Sequence, residues 1–269
     1  NDQDGGEPGG NIRVVFLYRT DRGLAFVDRG DATSSTSNSV DASSGSPHLA
    51  FSPGRIDPQN AAWSSSRKPL AGEFTFSGKT LFAIANHFNS KGGDDPLSGR
   101  FQPPVLASET QRSSQATVLA GFVDTLLNAD PETRVIALGD FNDFSFSAPL
   151  AKLYDVGLVD LVLGLPENER YTYVYQGNSQ DLDHILVSPS LAARCTYDVV
   201  HVNAEFSVQA SDHDPAVVRI ELGDAPVFAL SNPPASVLSG QPFSFQVSAT
   251  GSPAPTFSLS AAPSGMTIQ

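Results

Sequence analysis

Val135-Ile136-Ala137-Leu138-Gly139-Asp140-Phe141-Asn142-Asp143 is the stretch on which the fold reading turns. Four apolar residues, two of them β-branched, run into a glycine and then into an acid–aromatic–amide–acid cluster. A short branched apolar run that stops at a breaker reads as a buried strand. Extended backbone turns Asp140 and Asn142, two residues apart, to the same side. A carboxylate and an amide oxygen at the end of a buried strand suit a hard divalent cation such as Mg²⁺. The same residue types also suit a plain turn, so the rest of the chain decides between the two readings.

Upstream, Val118, Leu119, Phe122, Val123, Leu126 and Leu127 recur at three and four and predict a helix within residues 105–128. Asp130-Pro131 ends it, and Glu109, Gln111, Arg112 and Gln115 lie on its more polar first half. Before the helix, residues 90–104 are too irregular for regular structure and long enough for a functional loop. Leu81 to Ala85 reads as a buried strand ending in Asn86-His87-Phe88-Asn89, and Glu73 to Phe76 as its hairpin partner across Gly78. Val14 to Tyr18 and Leu24 to Val27 predict a further strand pair around Thr20-Asp21-Arg22-Gly23. Residues 30–48 read as a solvated loop, with His48 at its end as a surface histidine. Downstream, residues 150–165 are weakly helical, and Tyr171–Tyr175, Leu182–Val187, Tyr197–Val202 and Ala216–Ile220 read as strands. Strand, helix and strand alternate around residue 135, which predicts an α/β (α+β) domain.

Beyond Asp224 no Asp, Glu, Lys or Arg remains, yet Val227-Phe228, Phe243 to Val247 and Phe257 to Leu259 keep an alternating pattern. The composition change places a boundary at 223–226, between a domain at 1–222 and the start of an all-β domain at 223–269. Hydrophobic residues make up 40% and charged residues 17%, as in a folded protein. A net charge of −13 argues against a globally basic nucleic-acid clamp. It leaves room for a nucleic-acid enzyme, which needs local charge and a metal rather than a positive total. The single cysteine, Cys195, forms no intrachain disulfide and is expected as a strand-core thiol. No apolar run approaches the ~20 residues of a membrane span. The start at Asn1, without an initiator Met or a signal-like stretch, reads as a fragment or a processed product.

Four clusters share one format, polar residues of catalytic type at the edge of an apolar strand: Asn86/His87, Asp140/Asn142, Asp183 and Asp212/His213. Together with Ser66-Arg67-Lys68-Pro69 they resemble, in kind and in order, the motifs of the endonuclease/exonuclease/phosphatase superfamily. The matching pieces include Leu138-Gly139-Asp140-Phe141-Asn142, Leu182-Asp183-His184-Ile185-Leu186 and Ser211-Asp212-His213-Asp214-Pro215, within residues 11–222. Asn86 to Asp94 and Gly99 to Pro104 are similar to secreted bacterial nucleases of the extracellular type. The resemblance implies a deoxyribonuclease-like two-layer β-sandwich flanked by helices. The tail resembles bacterial immunoglobulin-like repeats.

The resemblance also implies roles. His213 is the general base, Asp183 its orienting carboxylate, and His87 a donor to the scissile phosphate. Asp140 and Asn142 position water, metal and phosphoryl oxygens, with Asp212 as a further metal ligand. Arg67 and Asn142 contact phosphate. The implied activity is Mg²⁺-dependent phosphodiester hydrolysis, with Mn²⁺ or Ca²⁺ as alternatives, by a secreted, monomeric nuclease acting on DNA and secondarily RNA. Rival readings are a phosphatase or phospholipid-type phosphodiesterase on the same scaffold, and a non-catalytic surface adhesion module. The superfamily carries an Asn and a metal-binding Glu near its first strands, for which this sequence has no counterpart. Little or no activity is therefore expected of residues 1–269. Lys68, Lys91 and Arg100 are expected as local positive charge toward a polynucleotide, His184 and His201 as structural, and Tyr171, Tyr173 and Tyr175 as packed in a sheet.

Overall fold

The computed structural model describes residues 12–229, 236, 240–252, 254–262 and 264–268. The chain divides into two units, residues 1–221 and 222–269. The first unit contains β1 (Ala25–Val27), β2 (Val40–Asp41), β3 (His48–Leu49), β4 (Gly54–Arg55), β5 (Leu70–Phe76) and β6 (Lys79–His87), then α1 (Glu109–Ala129). After these come β7 (Val135–Asp140), α2 (Ala148–Asp155), β8 (Val159–Asp160), β9 (Tyr173–Tyr175), β10 (Asn178–Gln180), β11 (Asp183–Val187), α3 (Pro189–Ala192), β12 (Cys195–Val199) and β13 (Ala216–Ile220). The second unit pairs β14 (Asp224–Ala229) with β15 (Ser248–Ser252).

A mixed sheet of order β1-β5-β6-β7-β11-β8, with β4 on β5, forms the centre. Its one parallel pair is β6–β7. Parallel neighbours need a crossover of a dozen or more residues, and α1 supplies it. Val135 and Ala137 are wholly buried because β7 lies inside the sheet, under Leu119, Val123 and Leu126 of α1. This is the α/β architecture expected from the sequence. Among the described residues the first unit has, besides this sheet, three two-stranded sheets, β2–β3, β9–β10 and β12–β13, rather than a second full sheet.

Local expectations differ from the structure in three places. Residues 14–18 form no strand; Phe16 and Tyr18 instead set their rings edge-on to Phe74, at 5.5 and 5.7 Å, while β1 takes the sheet edge beside β5. The polar half of α1 faces inward, with Arg112 and Gln115 fully buried. In the second unit the strand forms at Ser248–Ser252, whereas Phe243 to Val247 and Phe257 to Leu259 lie outside any strand. Among the described residues no helix is long and apolar enough to cross a membrane.

The inward polar groups of α1 hold the loops at one end of the sheet. Arg112 donates from Nε to Asp143 (2.7 Å), from Nη2 to Asp94 (2.9 Å), and from Nη1 to Ser90 O (3.2 Å) and Ser108 Oγ (2.5 Å). Gln115 receives the backbone N–H of Asn89 and donates to Ala62 O and Ser66 Oγ. One guanidinium and one amide thus replace the hydrogen bonds that irregular backbone loses on leaving water.

Beneath the end of β7, His184 is wholly buried, with Nδ1 2.7 Å from Asp160 and Nε2 2.9 Å from Asp143 O. Both partners can only accept, so both ring nitrogens donate and the ring is an imidazolium. Burial opposes that charge, but Asp160 outweighs it and raises the pKa to about 9.

Gly139 is opposite Asn86 on β6 and His184 on β11. Its φ is +131°, and an added Cβ would stand 2.0 Å from Asn86 O. Only glycine lets β6 and β7 approach here. Gly139→Ala is expected to lower stability by at least about 1–3 kcal/mol through backbone strain, with the clash in addition; urea denaturation measures it. His184→Ala leaves Asp160 as an uncompensated buried charge and is expected to cost about 3–5 kcal/mol near pH 6. The folded pKa lies above the ordinary 6.5. The stabilisation is therefore full below pH 6.5 and lost as pH rises through about 9. The gap in denaturation midpoint between wild type and variant should narrow across that range.

Candidate active site

Sheet register sets the site. His87 pairs with Asp140 across the parallel β6–β7 ladder, and Asp183 pairs with Asp140 across the antiparallel β7–β11 ladder. Three functional side chains therefore stand abreast on neighbouring strands, about 4.8 Å apart along the sheet. His213 arrives from the connection between β12 and β13, and its backbone bridges Tyr173. Its Nδ1 lies 2.5 Å from Asp183 Oδ2, an oxygen that also accepts from Thr172 Oγ1 at 2.7 Å. With Nδ1 committed to the carboxylate, Nε2 is the nitrogen left to take a proton.

Asp214 fixes the loop that presents His213. Its carboxylate accepts from the backbone N–H groups of Val202, Asn203 and Ala204 and from His201 Nδ1. Its own N–H donates to Thr172 O at 2.7 Å. Below the site, Trp63, Phe88 and Phe141 pack ring against ring, with Phe88 and Phe141 4.9 Å apart.

The charges are unevenly matched. Burial and the facing charge of Asp183 raise the Asp140 pKa to about 6. Burial opposes the charge on His213, but Asp183 and then Asp140 raise it to about 9. Burial and the nearby Arg67 charge push His87 down to about 4. His87 is therefore neutral at pH 7, and its 3.4 Å approach to Asp140 is not an ion pair. Asp140, Asp183 and His213 each offer a ligand atom, all within 4.8 Å of one another. Two carboxylates that repel each other enough to hold a proton form a donor set that fits a divalent cation, which would relieve that repulsion.

Asn142 does reach Asp140, but for a different reason from the one its spacing suggests. The strand stops at Asp140 and Asn142 is left-handed, with φ +52°. The Asn142 backbone N–H closes a turn onto Asp140 Oδ1 at 2.8 Å. Its side-chain Nδ2 donates to Phe88 O and to Asp140 Oδ2, both at 3.1 Å. The atom turned toward Asp140 is thus a donor, with its two N–H groups committed to Phe88 O and Asp140, not the oxygen that a metal requires. Arg67 lies close enough for its charge to act on both His87 and Asp140. Asp212 is exposed and outside the close group of Asp140, Asp183 and His213, although its charge still acts on His213.

Other expectations change too. Lys91 is not a free phosphate contact: its Nζ lies 3.2 Å from Asp143 and 3.7 Å from Asp94. Lys68 is buried, and Arg100 rests on the Phe101 ring at 4.7 Å. His184 and His201 are structural as expected, each paired with an aspartate. Tyr173 and Tyr175 do lie in a sheet, the two-stranded β9–β10 ribbon. His48 is tied to Glu73 at 3.0 Å. Thr172, Asp143, Arg112 and Asp214 were not legible as site supports, since each acts on a partner distant in sequence. The one hint was a threonine within an otherwise aromatic and apolar strand.

A model of the endonuclease/exonuclease/phosphatase family matches residues 11–213. No curated protein matches the chain. Among solved structures, a 3'-5' exonuclease from Neisseria meningitidis is 22% identical, covering 58% of this chain and 66% of that one with a TM-score of 0.43. A 3' phosphatase from Neisseria, solved with a product DNA hairpin, is 20% identical over 74% and 80% of the two chains, with a TM-score of 0.46. The human Nocturnin catalytic domain, solved with a sulfate anion, is 16% identical over 58% and 53% of the two chains, with a TM-score of 0.41. The chain thus spans 66% and 53% of the first and third of these. On the strength of the match over residues 11–213, the chain belongs to the endonuclease/exonuclease/phosphatase family, hydrolases of phosphate ester bonds.

Proposed function

We propose that this protein is a divalent-metal-dependent nuclease that hydrolyses phosphodiester bonds in DNA, and secondarily RNA, through water activated by His213. The observation that carries the reading is the convergence of His213, Asp183, Asp140 and His87 on one edge of the sheet. Asp183, itself held by Thr172, fixes the His213 tautomer and favours the imidazolium formed when Nε2 takes the water proton. His87, neutral at working pH, donates to a non-bridging phosphate oxygen as charge builds there. The Arg67 fork meets a remaining phosphate oxygen, while Asn142 holds the Asp140 carboxylate beside it. Mg²⁺, held by Asp140 and Asp183, would screen the anionic ester and stabilise the leaving oxygen. The proposal takes the protein as secreted and monomeric, and residues 223–269 as the start of an immunoglobulin-like spacer.

Nicking of supercoiled DNA tests the reading. Cleavage is expected to require Mg²⁺ and to stop in EDTA. His213→Asn should lower it by a factor of about 10²–10⁴. The base must be neutral to act, so the rate should rise with pH toward the His213 pKa of about 9. Asp183→Asn removes the group that raises this pKa, so the rising limb should move to lower pH while the maximal rate falls. Phosphate release from small monoesters without nicking would instead favour the phosphatase reading.

A further inference from the structure

Tyr173 and Tyr175 stand on one face of the β9–β10 ribbon, as alternate strand residues must. Their rings are near parallel, 11° apart with centroids at 6.3 Å. The Tyr173 ring lies 4.7 Å from the His213 ring at a 31° tilt, so the aromatic row begins at the reacting imidazole. It runs outward to Tyr175, which is 50% exposed. Neither ring belongs to the buried core. Packing therefore does not account for two aromatic residues lined up beside His213.

We infer that Tyr173 and Tyr175 form a stacking track for unpaired bases flanking the scissile phosphate, an inference that rests on the nuclease reading of the site. A chain of net charge −13 gains little from long-range attraction to a polyanion. Affinity must come from short-range contacts, and base–aromatic stacking is one that needs no positive charge. In a duplex each base face is covered by its neighbours, so a row of open rings selects single strands, overhangs or melted ends. Continuity with His213 sets the direction: a base on Tyr173 lies next to the phosphate, and the following base lies on Tyr175.

The test compares binding of a short phosphorothioate-linked oligothymidylate with that of a duplex of equal length, in Mg²⁺, by fluorescence anisotropy. Wild type should favour the single strand. Tyr175→Ala should weaken single-strand binding about 5- to 150-fold, the equivalent of about 1–3 kcal/mol per stacked base, and leave duplex binding nearly unchanged. Tyr175→Trp should restore it. Leu17→Ala, which alters an exposed apolar side chain ahead of β1, is the control and should bind as wild type. Equal binding by Tyr175→Ala and wild type, or equal losses on single strand and duplex, would overturn the track. If wild type nicks DNA while Tyr175→Ala binds unchanged, the track is wrong and the nuclease reading stands. If binding depends on Tyr175 but cleavage persists undiminished in EDTA and in His213→Asn, the nuclease reading fails and the stacking surface stands.

Discussion

Everything at this site depends on strand register around Asp140. One parallel and one antiparallel ladder meet at that residue and bring His87 and Asp183 to its two sides. Ladder register moves in whole residues, and a slip of one would turn the row to the other face. The placement is therefore as rigid as the sheet, which suits chemistry intolerant of small displacements. The arrangement also sets like charge against like charge. Asp140 and Asp183 face each other, and Thr172, Asn142, Arg67 and the two imidazoles share the load. The sheet holds the pair in place at a cost, and burial together with the facing Asp183 charge raises the Asp140 pKa.

Much of this was legible in the sequence, and the reasons are local. The run Val135 to Leu138 announces a buried strand because its side chains are branched, apolar and stopped by glycine. The α1 period announces a helix, and strand–helix–strand announces a parallel pair. What the sequence could not reveal is where polar side chains find partners. Arg112 and Gln115 read only as members of the helix's more polar first half, and such residues are mostly exposed. They are buried because two long loops need donors and acceptors that no regular ladder provides. Asn142 illustrates the same limit: its spacing from Asp140 is right, but the backbone leaves the strand and reaches the carboxylate by a left-handed turn. Residues 14–18 are a continuous apolar run like a buried strand, yet Phe74 rather than a ladder claims the rings of Phe16 and Tyr18.

Two histidine–aspartate pairs show how environment divides one chemistry into two roles. Asp183 and His184 are consecutive on β11 and so point to opposite faces of the sheet. Asp183 holds His213 and His184 is held by Asp160, at 2.5 and 2.7 Å. In both, a carboxylate fixes Nδ1 and raises the ring pKa to about 9. The second nitrogen makes the difference. In His184, Nε2 is closed by Asp143 O in a wholly buried setting, so its proton has nowhere to go and the ring acts as a cationic strut under the Asn142 turn. In His213 the ring is partly exposed beside Tyr173, and among the described residues Nε2 accepts no hydrogen bond. A ring that can exchange its proton with water or substrate can work as a base; one sealed between two acceptors can only hold position. The same pairing on the two faces of one strand thus separates the reacting group from its foundation.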